Sequence, residues 1–230
     1  MKNAFKILSL FLLVSISSFS QVNKYGLKVI TKTEDYSLQV SENDSLELVD
    51  LEELIPNIKL DIVYATPNNF TGEVIYKSPK AFLRKYVALS LLEVQKELNK
   101  KGLGLKVFDA YRPYSATVRF YEVYPDKTFV ASPKSGSIHN RASAVDLTII
   151  DLKTGKELEM PTLFDSFSEK ASHNYTALSD EVLENRKLLK DIMYKHGFDS
   201  YTSEWWHYNS RDSKKYDIMD ISFEELMKLE

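Results

Sequence analysis

No cysteine occurs among the 230 residues. The chain therefore has no disulfide to staple it and must hold its shape by burying a core. The same absence removes thiolate metal ligands and a cysteine nucleophile, so any metal site has to use nitrogen and oxygen donors. A hydrophobic fraction of 43% and a charged fraction of 27% are those of a globular chain, and 230 residues suit one domain better than two. The net charge of -3 gives no electrostatic footing for nucleic acid.

The first twenty residues differ from the rest. Lys2 and Lys6 open the chain, Ile7 to Ile16 is an apolar run broken by Ser9 and Ser15, and Ser17, Ser18 and Ser20 follow. This is the layout of a secretory signal peptide over residues 1–20, with a mature chain from near Gln21 and an exported, periplasmic or secreted product. An uncleaved amphiphilic anchor is the other reading. The run is short for a membrane span, so no stable membrane insertion is expected after cleavage. Residues 21–47 are polar and read as a loose N-terminal extension, with the folded domain covering 48–230.

Within that domain, Asp61 to Thr66 predicts a short strand running into a loop. Leu83, Val87, Leu91, Val94 and Leu98 recur at helical spacing until Gly102. Leu105 to Asp109 predicts a strand, and Pro113 opens a helix that runs to about Tyr124. Ala144 to Ile150 predicts a second strand, turned back by Lys153 to Lys156 toward Glu157. Ser179 caps a helix over about 180–196 that Gly197 stops. Trp205 to Asn209 predicts the last strand, and Ser222 caps a short terminal helix. Strands and helices mix without regular βαβ alternation, which predicts an α+β fold.

Four histidines are present. His139 lies on a loop feeding the strand that holds Asp146, so the two can converge. His207 closes Ser203-Glu-Trp-Trp-His. Imidazole nitrogens and a carboxylate oxygen suit zinc, and three protein ligands leave one position for water. His139, Asp146 and His207 are such a set, and Glu204 is the carboxylate that can take a proton from the water. In an extended chain Glu204 and His207 face opposite ways, so this requires a bend. The plainer alternative keeps Trp205, Trp206 and His207 as core residues. His196 at a helix end and His173 in a loop read as structural. Arg112, in Asp109-Ala-Tyr-Arg-Pro, stands where a strand gives way to a helix. It suits a carboxylate or a developing oxyanion, or else an ordinary surface ion pair.

Five blocks in order carry a resemblance. They are Asp61 to Gly72, Asp109-Ala-Tyr-Arg-Pro, Ser137 to Thr148, Phe164 to Glu169 and Glu204-Trp-Trp-His. From about Leu60 to Asn209 the chain resembles the D-alanyl-D-alanine dipeptidases of the vancomycin-resistance type, within the wider group of zinc D-Ala-D-Ala peptidases. The resemblance implies a single domain with a small, mostly antiparallel sheet flanked by helices, of the zinc D-Ala-D-Ala peptidase and hedgehog type. It implies one zinc ion on His139, Asp146 and His207, with Glu204 as acid/base and Arg112 stabilising the transition state. Tyr64, Ser137 and Asp165 match positions lining the pocket, Asp165 toward the substrate ammonium and Ser137 toward its carboxylate. Asp109 is placed to orient Arg112. Ala110 and Ala142 stand where such enzymes often have glycine. The implied substrate is a small dipeptide. The alternative is a D,D- or L,D-carboxypeptidase or endopeptidase acting on longer peptidoglycan peptides.

Overall fold

Two apolar stretches singled out by their patterning become neighbouring strands, and they position everything else. In the computed structural model, which describes residues 23–229, the elements are β1 (Val29–Ile30), α1 (Thr33–Glu42), β2 (Leu48–Asp50), α2 (Leu51–Leu54) and β3 (Lys59–Leu60). Then follow β4 (Phe82–Arg84), α3 (Lys85–Asn99), β5 (Leu103–Asp109), α4 (Tyr114–Val123) and β6 (Ala144–Asp151). The chain ends with α5 (Asp180–Lys195), β7 (Phe198–Ser200), β8 (His207–Ser210), β9 (Ile218–Met219) and α6 (Phe223–Leu226). The expected signal segment, 1–20, lies outside the described residues.

The main sheet has the order β3-β5-β6-β8-β7, with every pair antiparallel except β3 with β5. This is the expected α+β, mostly antiparallel arrangement. Ala144 to Ile150 are all buried. A central strand covered on both faces has no polar side to show, which is why β6 reads as an apolar run rather than an alternation. Its Val145, Leu147 and Ile149 join one hydrophobic cluster with Leu91, Val94 and Leu98 of α3 and Leu189, Ile192 and Met193 of α5. Asp146 sits on the opposite face, because successive side chains alternate.

The helix boundaries have local causes. Ser179 accepts a hydrogen bond from the Val182 N–H, and Gly197 takes a φ of +92° just beyond the end of α5. Ser222 and Glu225 form a reciprocal capping box at α6. Among the described residues no helix is long and apolar enough to cross a membrane.

Four expectations change. The helical repeat read from Leu83 starts later, since Leu83 lies in β4 and α3 begins at Lys85. The predicted looseness of 21–47 does not hold for its described part. There β1 pairs in parallel with β9, and α1 buries Tyr36, whose hydroxyl accepts the Leu48 N–H at 2.7 Å. Composition misses this because the strand that pairs with β1 lies at the far end of the chain. The strand expected at 61–66 is confined to Lys59–Leu60, and Val63–Ala65 instead form a 3-10 turn that buries Tyr64. The strand expected from Trp205 starts at His207 and is not the last, since β9 follows.

Candidate active site

Sheet register sets the first part of the site. Asp109 of β5 lies opposite Asp146 of β6, and Asp146 lies opposite His207 of β8. The three form a row across adjacent strands. An irregularity in β5 between Val107 and Asp109 re-aims the strand end. His139 enters from a 3-10 turn, His139–Arg141, just before β6. Ala142 closes that turn in the left-handed region at φ +54°, a conformation glycine adopts without strain. One ligand atom each from His139, Asp146 and His207 lies within 4.8 Å of the others.

Hydrogen bonds then decide what those atoms present. His139 Nδ1 is 2.6 Å from the Ala110 carbonyl oxygen, which only accepts, so Nδ1 carries the proton and Nε2 a lone pair. His207 Nε2 is 2.9 Å from Oδ1 of Asn209, which likewise leaves Nδ1 with a lone pair. These two lone-pair nitrogens face each other at 3.1 Å. Asp146 Oδ2 is 3.3 Å from His139 Nε2, and Oδ1 is 3.0 Å from His207 Nδ1. Oδ1 is buried without a hydrogen-bond partner. Two lone pairs and a carboxylate crowded together in a buried place repel one another, and a divalent cation between them removes the repulsion. The donor set is that of a three-ligand zinc site with its outer partners in place.

The required bend at Glu204 is present. Its N–H donates to the Tyr201 carbonyl at 3.2 Å, and the His207 N–H donates to the Glu204 carbonyl at 3.4 Å. The turn brings Glu204 Oε2 to 3.8 Å from His207 Nδ1. Trp205 and Trp206 anchor it from inside: Trp205 Nε1 donates to Thr162 Oγ1 at 3.0 Å, and Trp206 packs edge-on against Phe164. Glu204 is buried, and burial pushes its carboxyl up to about 8.

Arg112 forms no surface ion pair. It is buried, and its Nε and Nη2 donate to Asp109 Oδ2 at 2.9 and 2.7 Å. Asp109 Oδ1 also accepts from the Tyr76 hydroxyl and the Ala110 N–H, both at 3.0 Å. The guanidinium lies over the rings of Phe120 and Tyr64, 4.8 and 5.6 Å from their centroids. Its Nη2 reaches to 3.7 Å from Asp146 Oδ2.

Tyr64 donates to Asp165 Oδ2 at 2.7 Å, and burial pushes the Asp165 carboxyl up to about 8 against the pull of that bond. Ser137 is buried, and its Oγ accepts the His139 N–H at 3.2 Å. Tyr64, Arg112, Ser137, His139, Asp146, Asp165, Glu204 and His207 all line one cavity of about 190 Å³. Asp109 stands behind it. His196 lies elsewhere, bonded to Glu97 at 2.8 Å, and His173 is also outside the cavity. Sequence reasoning missed Asn209, whose spacing of two from His207 in a strand was the available signal. It also missed Lys127 and Tyr201 in the cavity wall, which carried no signal.

The D-ala-D-ala dipeptidase family of peptidases matches residues 44–225. The chain is 33% identical over 181 residues to the D-alanyl-D-alanine dipeptidase of Escherichia coli (strain K12), covering 79% of this chain and 93% of that protein. It is 35% identical over 185 residues to the enzyme of the same description from Enterococcus faecalis, covering 70% of this chain and 90% of that one. Among solved structures it is similar to the LdcB LD-carboxypeptidase, at 21% identity and a TM-score of 0.40 over 79% of this chain and 77% of that one. It is also similar to VanYB in complex with D-alanine-D-alanine, at 15% identity and a TM-score of 0.39 over 66% and 86% of the two chains. With its matched length and these identities, the chain belongs to the D-ala-D-ala dipeptidase family of peptidases.

Proposed function

We propose that this chain is a zinc dipeptidase that hydrolyses D-alanyl-D-alanine to two D-alanines. The observation that carries the reading is the convergence of two imidazole lone pairs and a buried carboxylate, with Glu204 beside them, on a small cavity. At about 190 Å³ it falls below the ~300–1,000 Å³ of drug-sized sites, which favours a substrate as small as a dipeptide.

Zinc held by His139, Asp146 and His207 supplies Lewis acidity, making water a stronger acid and a carbonyl carbon a better electrophile. Glu204 takes one proton from water as the water oxygen bonds to the scissile carbonyl carbon. Burial, with Asp146 and Asp165 nearby, raises the proton affinity of its carboxylate. Arg112, locked by Asp109, stabilises the negative charge that develops on the carbonyl oxygen. The C–N bond then breaks, and Glu204 hands its proton to the departing amine. One product leaves with the new carboxylate and the other with the new amino group. Tyr64 and Asp165 receive the substrate ammonium, and Ser137 its carboxylate. The lysine-led apolar run and the serines before residue 21 support an exported chain processed near Gln21, with residues 48–230 as the dipeptidase domain. Mass analysis of the exported protein checks the processing site.

A dipeptide panel with both alanine stereoisomers, run with and without chelator, tests the activity. D-Ala-D-Ala is cleaved, chelator abolishes cleavage and added zinc restores it. Glu204→Ala retains one zinc per chain but loses about 10²–10⁴-fold in turnover. His139→Ala loses the metal as well. Chelator-insensitive hydrolysis, or near-normal turnover by Glu204→Ala, overturns the assignment.

A further inference from the structure

Arg186 is a buried cation that no carboxylate balances among the described residues. Only 7% of it is exposed. Its Nη1 donates to the Ser172 and Tyr175 carbonyls at 2.9 and 2.8 Å. Burial holds its pKa below the ordinary arginine range, and only the Tyr208 hydroxyl pulls the other way. An arginine keeps its charge at any ordinary pH, so a guanidinium drawn this far out of water is costly unless an anion faces it.

Leu183, Arg186, Lys187 and Lys190 recur at i, i+3, i+4 and i+7, so α5 carries them on one face. With His173 they line a recess of about 260 Å³ that includes no acidic residue. None of the five lines the reaction cavity. The recess lies on the other side of the sheet, where Tyr208, the strand neighbour of His207, stands 6.2 Å from the His173 ring. Lys187 is balanced by Asp191 one turn on. Arg186 and Lys190 both act on His173 with their charge. His173 is pinned through its N–H to the Thr202 carbonyl at 2.9 Å, and its Nε2 is buried without a hydrogen-bond partner. An ordinary solvated basic face accounts for the two exposed lysines. It does not account for a buried arginine and an unused imidazole nitrogen at the same recess.

We infer that the recess between α5 and the segment bearing His173 is an anion site that takes a phosphate group, held by Arg186, Lys190 and His173. Two unbalanced positive charges match a phosphate dianion, whereas a carboxylate brings one charge. A phosphate also offers three oxygens to donors that arrive from a helix and from the segment facing it. The inference is independent of the dipeptidase reading. The bound group fastens residues 172–175 to α5, and that segment also braces the bend at Glu204. There the Thr202 carbonyl accepts Ser172 Oγ and the His173 N–H at 3.0 and 2.9 Å, and the Trp205 N–H donates to the Ala171 carbonyl at 2.9 Å.

The test titrates the metal-loaded protein with inorganic phosphate, methyl phosphate and acetate at fixed ionic strength, by calorimetry and by the nitrogen resonances of the His173 ring. His173→Gln identifies those resonances, and thermal unfolding confirms that each variant is folded. In wild type, phosphate binds and shifts the His173 signals. Lys190→Glu weakens phosphate by at least about ten-fold, the scale of one charge-assisted hydrogen bond. Arg186→Lys, which keeps the charge and loses the planar fork, weakens it as well. Should Arg186→Lys not fold, the exposed Lys190 position decides alone. Methyl phosphate binding at least as tightly as phosphate identifies a group carried on a larger molecule, and weaker binding identifies the free ion. Acetate binding as tightly as phosphate overturns the phosphate assignment. Unmoved His173 signals overturn the site, as does equal phosphate affinity in wild type and Lys190→Glu, which is the result for an ion taken up at His139, Asp146 and His207 instead.

Discussion

Which nitrogen of His207 is free is decided by one amide. Asn209 Oδ1 takes the Nε2 proton, so Nδ1 is left to face His139 and Asp146. The Ala110 carbonyl does the same for His139 from the opposite side. Without these acceptors each ring is free to turn or to change tautomer, and the converging lone pairs are lost part of the time. Asn209→Ala therefore weakens zinc binding by about 10–100-fold, as loss of such an outer partner commonly does. Competition against a chelator of known affinity measures this. Asn209→Asp, which still accepts, keeps most of the affinity. Equal zinc affinity in wild type and Asn209→Ala refutes the role.

At the scale of elements, what was legible was what local chemistry decides. Ser179 with Gly197, and Ser222, marked helix ends because caps satisfy backbone groups within a few residues. The loop-to-strand passage from His139 to Asp146 was legible because small polar residues give way to an apolar run. The bend at Glu204 was not. It depends on Trp205 and Trp206 finding Thr162 and Phe164, contacts that no local pattern announces. The row of Asp109, Asp146 and His207 was equally hidden, since register belongs to strands paired across the chain.

His173 supplies a test at this scale. It lies in the segment that Arg186 ties to α5 through the Ser172 and Tyr175 carbonyls. Burial pushes its imidazole down to about 4, and Lys190 and Arg186 add to the effect. The folded value is below the ordinary 6.5, so between pH 6.5 and 4 the unfolded chain binds the extra proton. The stability associated with neutral His173 is therefore complete above that window and is lost as pH falls through it. Urea midpoints across pH 4–7 show this slope in wild type, and His173→Gln flattens it. An unchanged slope in the variant counts against the burial account.

Across the whole molecule, the two ends of the described chain close on each other. The family match begins at residue 44, yet β1 pairs with β9 and Tyr36 is buried before that point. Arg84 joins these parts to the site. Fully buried, it donates to the Leu46 carbonyl and to the Arg141 carbonyl, and its own N–H donates to the Ala142 carbonyl. Removing residues up to Asn43 strips Val29, Ile30 and Tyr36 from the core, at about 1.5–3 kcal/mol for each large side chain. Denaturant midpoints of the shortened chain fall by an amount equivalent to several kcal/mol, and the loss extends to the turn bearing His139. A truncated chain as stable as the longer one refutes this.

Asp146 and His207 stand opposite each other only when β6 and β8 have found their register, and His139 joins them only when its turn is clasped against β4. No stretch of the unfolded chain gathers the three donors. The cation site is therefore a property of the finished sheet, complete only when both the strand pairing and the turn are in place.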